Sequence, residues 1–435
     1  MSSNTFSASA PGRLDVMGGI ADYSGSMVLQ KAIRLKTHVQ IKLRTDYICS
    51  ITSTVPAGET LHFAGDYRNF LENGNVSYPF ARNIFSQNPK SQWVAYIIGC
   101  ILVLQNEKQI DFRGADFSIR SEVPYGKGVA SSAALEVAVL KALTKAFGVT
   151  CHGTELARYA QMAENHVAGA PCGLMDQLAS AFGPTNALLP IVCQPDQLLQ
   201  PVAIPEWIKF IGIDSGIRHQ VAGASYADVR CAAFMGYTIL IRSLGCTEKE
   251  IHDATATQNF SCLPYQGYLS NISVEDFEKR YASILPESMK GRDFINQFGR
   301  STDTITAVEP DKIYQIKVCT AHPIYENRRV NEFLKLIRSI PDQPDASAQQ
   351  TASGLGALML ESHSSYSACG LGTIRTDEIV KLAQELPGIT GARVTGGGNG
   401  GTVCVLAAGD EGARSVARLH QLVCNQYGEN LMLFD

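Results

Sequence analysis

The segment from residue 115 to residue 148 constrains the fold most, because it orders a strand, a glycine-containing loop and a helix. ADFSIRSEV at 115–123 is typical of a strand, and PYGKG at 124–128 breaks it. From Ser131 the chain reads SSAALEVAVLKALTKAF, which predicts a helix that stops at Gly148. This order predicts a fold that mixes helices with strands.

A loop of this kind can bind phosphate. Glycine lets the backbone approach a ligand closely, and the N-terminus of a helix favours negative charge. The loop lacks the G-K-[ST] ending of a Walker A motif, so an ordinary strand-to-helix turn remains an equal alternative at this point.

Other segments carry local signals of their own. Residues 32–45 alternate apolar with polar side chains, which predicts a strand with one face on the core. Residues 154–168 and 175–183 predict helices, and IKFIGID at 208–214 predicts a strand. GARVT, GGGNGG and TVCVLAA near the end predict two strands joined by a glycine turn. The turn contains G-x-G-x-x-G but no helix follows it, so the dinucleotide-binding interpretation fails its context.

Composition excludes several classes of protein. Of the 435 residues, 45% are apolar and 18% are charged, which excludes a largely disordered chain. The net charge of −4 gives no electrostatic reason to bind nucleic acid or an anionic membrane. The apolar run from Trp93 to Leu104 is too short to span a bilayer and predicts a buried helix. The 12 cysteines are scattered and the N-terminus has no apolar leader, so we expect a cytoplasmic protein.

The chain divides into two predicted domains, residues 1–205 and 206–435, with the boundary near the end of the proline-rich stretch PDQLLQPVAIPEW. Within the second domain, residues 244–310 are less patterned and suggest an insertion. In the first domain, Glu164 and Asp176 flank a Gly/Pro turn. Each carboxylate alone is more typical of a surface charge or a helix cap. Because chemistry on phosphate esters needs metal ligands and a group that handles the nucleophile, their shared context favours a site.

Three motifs in order resemble the GHMP small-molecule kinases. They are APGRLDVMGGIADYSGSMVL at 10–29, the loop 124–134, and GARVTGGGNGG at 391–401. PCGLMDQLAS at 171–180 and DSGIRH at 214–219 further resemble the galactokinase branch. The resemblance runs from about residue 6 to the C-terminus and is thinnest across 244–310.

The resemblance implies an α+β fold of two domains. The N-terminal domain would be like domain 2 of ribosomal protein S5, the C-terminal domain would be ferredoxin-like, and the active site would lie in the cleft between them. It also implies ATP and Mg²⁺ as cofactors and a small-molecule sugar as substrate, with no nucleic acid and no membrane as partner. The oligomeric state stays open.

Residue roles follow from the same resemblance. Asp176 matches the catalytic carboxylate that faces the anomeric hydroxyl, and Arg13 matches the cation beside it. Whether Asp176 is a true base or an electrostatic stabiliser stays open. Ser132 and Glu164 match the Mg²⁺ ligands. The residues that match the ATP phosphate loop are Gly126, Gly128, Val129, Ala130, Ser131, Ser132 and Ala133, and those that match sugar-binding positions are Gly19, Ile20, Asp22, Tyr226, Gly397 and Gly398.

One departure from the family bears on the substrate. Galactokinases usually read G-E-H-T-D-Y in the first motif, whereas this chain has Gly19 and Ile20 in place of the Glu and His. The Glu resembles the group that contacts the C6 hydroxyl of galactose, which L-arabinose lacks. A carboxylate kept for a missing hydroxyl would be buried without a partner, which is costly. The motif is also similar to that of plant L-arabinokinases.

These observations predict a sugar 1-kinase that phosphorylates the anomeric hydroxyl of L-arabinose to give β-L-arabinose 1-phosphate. The alternatives are a galactokinase, a uronic-acid 1-kinase and a sugar sensor without catalysis. The first motif contains no additional Arg or Lys that would favour a uronic acid as the substrate. Asn399, where the family usually has Gly, has no interpretation from the sequence.

Overall fold

The computed structural model describes residues 5–56, 58–194, 196–217, 226–428 and 430–435. Its strands are β1 (Thr5–Met17), β2 (Met27–Arg44), β3 (Ile48–Thr54), β4 (Thr60–Asp66), β5 (Gly114–Ser121), β6 (Ala187–Val192), β7 (Gln197–Leu198), β8 (Val202–Ala203), β9 (Ile208–Asp214), β10 (Met289–Lys290), β11 (Ile313–Tyr314), β12 (Ile389–Val394), β13 (Thr402–Ala408) and β14 (Leu433–Phe434). Its α-helices are α1 (Tyr78–Ser86), α2 (Ala95–Lys108), α3 (Ser131–Phe147), α4 (Glu155–Met162), α5 (Met175–Phe182), α6 (Tyr226–Ser243), α7 (Glu248–Thr257), α8 (Val274–Asp276), α9 (Gly291–Phe298), α10 (Ile316–Ser339), α11 (Ala346–Ala368), α12 (Ile374–Gln384) and α13 (Gly409–Tyr427).

The chain forms two compact units. Unit 1 comprises the described residues up to Arg13 together with Ala32–Thr185, and unit 2 comprises Leu14–Lys31 together with Asn186–Asp435. The sequence placed a single boundary between residues 205 and 206. The units instead divide earlier, after Thr185, and the chain also enters unit 2 between residues 14 and 31.

Unit 1 is built on a mixed sheet. Strand β3 pairs antiparallel with β4 and parallel with β5, β5 pairs antiparallel with β2, and β2 also pairs with β1. The alternation expected of residues 32–45 is present, because Val39 and Ile41 are buried opposite Ile119 and Phe117. Helix α2 lies in the same core, where the stretch from Ile97 to Leu104 is buried as its apolar sequence predicts.

Unit 2 contains an antiparallel sheet in the order β12-β13-β9-β14. Helix α11 packs on β12, α13 packs on β13, and α10 packs on both α6 and α11. The start of β2 pairs with β6 over Met27–Gln30 in this unit. The expected strand, glycine turn and strand near the C-terminus are therefore β12, the loop 395–401 and β13.

Residues 244–310 are folded, and several of their side chains contribute to the core of unit 2. Helix α7 begins with a capping box, in which Thr247 and Glu250 satisfy each other's backbone amides. Ile251 and Phe294 from α7 and α9 are fully buried in the cluster that α6 and α10 also line. Among the residues that the structure describes, no helix is both long enough and apolar enough to cross a bilayer.

Candidate active site

The loop between β5 and α3 has a backbone suited to binding an anion. Gly126, Gly128 and Ala130 have φ of 72°, 71° and 58°, so left-handed residues alternate along it. Ala130 precedes the 17-residue helix α3 and offers no side-chain cap to its first amides. Such alternation creates backbone concavities lined by N–H groups, and the helix N-terminus adds positive potential. The predicted phosphate-loop residues Val129, Ser131, Ser132 and Ala133 continue this segment.

Arg13 joins this loop to Asp176. Its Nε and Nη2 both donate to Asp176 Oδ1, at 2.9 and 2.7 Å, and Nη2 also donates to Oδ2 at 2.7 Å. Its Nη1 donates to the carbonyl of Gly128 at 2.6 Å. The Arg13 side chain is 3% exposed and that of Asp176 is 23% exposed. A buried cation therefore holds a carboxylate that is still partly accessible to solvent.

Glu164 lies buried beside the start of α3. It belongs to the π-helical turn Ala163–Ala168 that continues α4, and its Oε2 accepts a 2.6 Å hydrogen bond from Gln177 Nε2. Burial raises the pKa of Glu164 to about 7, and the nearby charge of Asp176 adds to this, whereas a hydrogen bond from Ser132 opposes it. The two residues predicted to bind Mg²⁺ thus contact each other.

These donors fit a magnesium ion. Mg²⁺ prefers oxygen ligands and is usually held by one or two carboxylates together with substrate phosphates. Among the described residues, no group of three or more His, Cys, Asp or Glu side chains is arranged to hold a metal ion. A carboxylate and a hydroxyl beside a loop whose backbone suits an anion would fit an ion that binds together with a phosphate group.

Glu136 is a residue of this cluster that the sequence analysis missed. It lies on α3 one turn after Ser132 and is fully buried. Burial and then the charge of Glu164 raise the pKa of Glu136 well above its usual value. The available signal was a single carboxylate within the apolar run SSAALEVAVLKAL, where it interrupts an otherwise uncharged helix face.

In unit 2, the first motif forms a buried turn. Residues Gly19–Ser24 make a 3₁₀-helix, and Gly19 has φ of 41°. The amide of Gly19 donates to Asp15 Oδ1 at 3.0 Å, and the amide of Ile20 donates to Tyr366 Oη at 2.7 Å. The side chain of Ile20 is fully buried in the core of unit 2, and Asp22 is 5% exposed.

The glycine-rich loop after β12 belongs to the same unit. Gly396, Gly398, Gly400 and Gly401 all have positive φ, and Asn399 has φ of 56°. The amide of Asn399 donates to the carbonyl of Leu371 at 2.7 Å. Asparagine tolerates the left-handed region better than other side chains do. This explains how the chain can have Asn399 at a left-handed position where the family usually has glycine. The predicted site residue Gly397 is half-buried in this loop, and Gly398 is buried.

Two buried charges that the sequence analysis missed fix this part of unit 2. Arg393 Nη1 donates to the carboxylate of Asp15 at 2.7 Å and to its carbonyl at 3.1 Å, and both residues are fully buried. Thr395 Oγ1 accepts from the Asp15 amide at 2.7 Å. A buried ion pair of this kind holds its two segments in register, here the first and third motifs.

Tyr226 stands at the start of α6, half-buried, with its ring edge-on to Tyr23 at 5.8 Å between centroids. One turn later Arg230, 7% exposed, interacts electrostatically with Tyr226 and Asp22. Its Nε and Nη2 bind the carboxylate of Asp303 at 2.9 and 2.8 Å. The sequence analysis missed this cation, whose charge the buried Asp303 balances. Arg218 and His219 of the motif at 214–219 lie outside the described residues.

Three family descriptions match the chain. They are the GHMP kinases N terminal domain over residues 95–184, the galactokinase galactose-binding signature over 1–43, and the GHMP kinases C terminal over 345–421. The chain belongs to the GHMP kinase family. The predicted family is therefore confirmed, and the three matches cover the three motifs on which the prediction rested.

Curated relatives include sugar kinases. The chain is 38% identical to the L-arabinokinase of Arabidopsis thaliana over 92% of its own length, but it spans only 42% of that relative. It is 29% identical to the galactokinase of Actinobacillus succinogenes, covering 98% of this chain and 90% of the relative.

Solved structures confirm the predicted GHMP kinase fold. The structure of Lactococcus lactis galactokinase complexed with galactose matches with a TM-score of 0.71 at 19% identity, over 99% of this chain and 92% of that one. The Methanococcus jannaschii mevalonate kinase matches with a TM-score of 0.56 at 15% identity, over 98% and 96% of the two chains.

Proposed function

We propose that this GHMP kinase is an ATP-dependent sugar 1-kinase that phosphorylates L-arabinose at its anomeric hydroxyl. The observation that carries the proposal is one cluster in unit 1. A glycine loop, a carboxylate held by Arg13, and the Ser132–Glu164 pair lie together there. Phosphoryl transfer needs these parts: amides for phosphate, an ion-binding carboxylate and a group that handles the acceptor hydroxyl.

In this mechanism Asp176 accepts a hydrogen bond from the anomeric hydroxyl and takes its proton while the hydroxyl oxygen attacks the γ-phosphorus of ATP. The new O–P bond forms as the bond from that phosphorus to ADP breaks, and ADP leaves. Arg13 orients the Asp176 carboxylate and supplies positive charge beside the transferred phosphoryl group. The amides of the loop 126–133 bind the ATP phosphates. Ser132 and Glu164 would hold Mg²⁺, which when bound neutralises phosphate charge.

L-arabinose is preferred as substrate over D-galactose because of the first motif. Gly19 leaves no carboxylate for a C6 hydroxyl, and the 38% identity to an L-arabinokinase supports the same choice. The galactokinase relatives at 29% identity and the galactokinase galactose-binding signature favour D-galactose as the second candidate. Arg230 does not favour a uronic acid, since its charge is already balanced by Asp303.

The test is ADP release by the purified chain with ATP and L-arabinose, D-galactose or D-galacturonate, with the product's phosphate position read by phosphorus NMR. One hydroxymethyl group more or less is worth about 1–3 kcal/mol, so we expect kcat/KM to favour L-arabinose by roughly 10- to 200-fold. A preference for D-galactose would replace the proposal with galactokinase. Sugar binding without ADP release would indicate a sensor.

A further inference from the structure

Tyr366 connects the first and third motifs within unit 2. Its side chain comes from α11 and is fully buried. The hydroxyl accepts a 2.7 Å hydrogen bond from the amide of Ile20 and donates a 3.1 Å hydrogen bond to the carbonyl of Gly396. One side chain therefore bridges the turn at 19–20 and the glycine-rich loop, the two segments to which sugar-binding residues are assigned.

The same hydroxyl occupies the space that a side chain at residue 19 would need. A Cβ atom built on Gly19 would lie 1.5 Å from Tyr366 Oη, 2.7 Å from its Cζ and 2.8 Å from Asp15 Oδ2. Heavy atoms that are not bonded do not approach this closely. The φ of 41° at Gly19 adds strain for any other residue. Glycine at position 19 and tyrosine at position 366 therefore depend on each other.

Tyr366 has little freedom to move away. The Arg393 guanidinium lies 4.9 Å from the centre of its ring, and the His322 ring meets it edge-on at 5.3 Å. Arg393 is itself bound to Asp15. Because protein interiors are close-packed, displacing the ring would disturb these groups as well. The hydroxyl is thus held in place before any substrate binds.

We propose that Tyr366 is a specificity-determining positioning residue of the kinase. Its hydroxyl fixes the turn at 19–20 and excludes any side chain at residue 19, so that no polar group can be offered there to the C6 hydroxyl of a hexose. This inference rests on the proposed function. It also implies that Gly19→Glu alone does not convert the enzyme to a galactokinase, because the carboxylate has no room while Tyr366 is in place.

The test compares the ratio of kcat/KM for L-arabinose to kcat/KM for D-galactose in wild type and in Tyr366→Phe. Losing the hydroxyl leaves the Ile20 amide and the Gly396 carbonyl without this partner, so the turn relaxes. A hydrogen bond is worth about 0.5–1.5 kcal/mol, and we expect the ratio to fall by roughly 2- to 12-fold. Tyr237→Phe is the matched control, since Tyr237 is equally buried in unit 2 and its hydroxyl donates to the Pro264 carbonyl at 2.5 Å. This control should leave the ratio unchanged.

A double-mutant cycle tests the steric coupling independently of activity. Gly19→Ala should lower the melting temperature more in wild type than in the Tyr366→Phe background, because the phenylalanine lacks the atom at 1.5 Å. Additive changes in melting temperature would overturn the coupling.

The kinetic outcomes separate the two proposals. The Tyr366→Phe variant could have a lower melting temperature and lower activity on both sugars but an unchanged ratio of kcat/KM for L-arabinose to kcat/KM for D-galactose. That result would show a purely structural role and overturn the inference. A wild type that prefers D-galactose contradicts the L-arabinose assignment, and the effect of Tyr366→Phe on the ratio then decides the role of Tyr366 separately. A wild type that phosphorylates neither sugar overturns both proposals.

Discussion

At the scale of single residues, the proposed chemistry depends on the carboxylate of Asp176, which Arg13 holds with two of its nitrogens. Asp176→Asn keeps the size of the side chain but removes the charge and the ability to take a proton. We expect kcat to fall by roughly 100-fold or more, the magnitude of a lost general base, with nucleotide affinity nearly unchanged. Steady-state kinetics and calorimetric titration with an ATP analogue measure the two quantities.

Asp116→Asn is the matched control for this prediction. Asp116 also belongs to unit 1 and pairs with an arginine, since Arg44 Nη1 donates to it at 2.9 Å, but it is 40% exposed on β5. Near-normal kcat in both variants would remove Asp176 from the proposed mechanism. A similar loss in both would point to an effect on folding.

The second residue-scale prediction concerns the metal. Glu164→Gln removes the charge assigned to Mg²⁺ but keeps an oxygen beside Ser132 and Gln177. We expect the Mg²⁺ concentration for half-maximal activity to rise and phosphoryl transfer to slow, because the ion must neutralise the phosphates. Glu122→Gln, at an arginine-paired glutamate elsewhere in unit 1, is the control. An unchanged Mg²⁺ titration in Glu164→Gln would refute its assignment as a ligand.

The residues that sequence reasoning missed share one property: their partners are distant in the chain. Tyr366 lies in an ordinary helical sequence, and nothing local reveals that its hydroxyl fills the place of a side chain at Gly19. Arg393 lies in the third motif, yet its partner Asp15 is 378 residues away. The presence of Asn399 could be explained only from the structure, because its positive φ is a property of the folded loop.

At the scale of elements, the local sequence pattern was sufficient to predict helices and strands wherever that pattern was regular. Helix α3 begins at Ser131 and ends at Phe147 with Gly148 left-handed, as predicted, because the apolar period and the glycine stop agree. Strand β9 at Ile208–Asp214 is also confirmed. The helix predicted over 154–168 instead divides into α4 and a π-helical turn. A π-turn has no sequence signature, and this one carries Glu164.

The buried face of α10 predicts a pH dependence of stability. His322 is buried, its Nδ1 is 2.7 Å from Ser365 Oγ, and burial lowers its pKa to about 4. An unfolded histidine titrates near 6.5. The unfolded chain therefore binds more protons between these pH values, so stability is complete above about pH 6.5 and falls as the pH drops towards 4.

We expect His322→Asn, which retains a hydrogen-bonding group for Ser365, to remove this contribution. Between pH 7.5 and 4.5 the free energy of unfolding should fall by about 2.5 kcal/mol more in wild type than in the variant. Urea unfolding at several pH values measures the difference, and the half-exposed His38 provides the control substitution, His38→Asn. Parallel pH profiles for wild type and His322→Asn would contradict the prediction.

At the scale of the whole molecule, the sequence predicted the family, the two-domain fold and the motif order, but not the division of the chain. Leu14–Lys31 belongs to unit 2 although unit 1 resumes at Ala32. The cause lies in contacts that sequence distance hides. Asp15 binds Arg393, the Gly18 amide donates to Glu326 Oε1 at 3.2 Å, and Met27–Gln30 pair with β6. Composition suggested a single domain boundary, whereas the contacts divide the chain at three places, after Arg13, Lys31 and Thr185.

The last prediction concerns the unfolding temperature of the whole protein in the presence of each sugar. A ligand that binds the folded state alone stabilises it by RT ln(1 + [L]/Kd), about 2.7 kcal/mol at a hundredfold excess over Kd. With a non-hydrolysable ATP analogue and Mg²⁺ present, L-arabinose should therefore raise the unfolding temperature more than D-galactose at the same concentration. A tenfold difference in Kd corresponds to about 1.4 kcal/mol, which a thermal scan resolves.

D-glucose, which differs from D-galactose at C4, is the control and should give little shift. Equal shifts from all three sugars would show that binding does not discriminate among them. A larger shift from D-galactose would mean that the missing carboxylate at residue 19 does not set the preference.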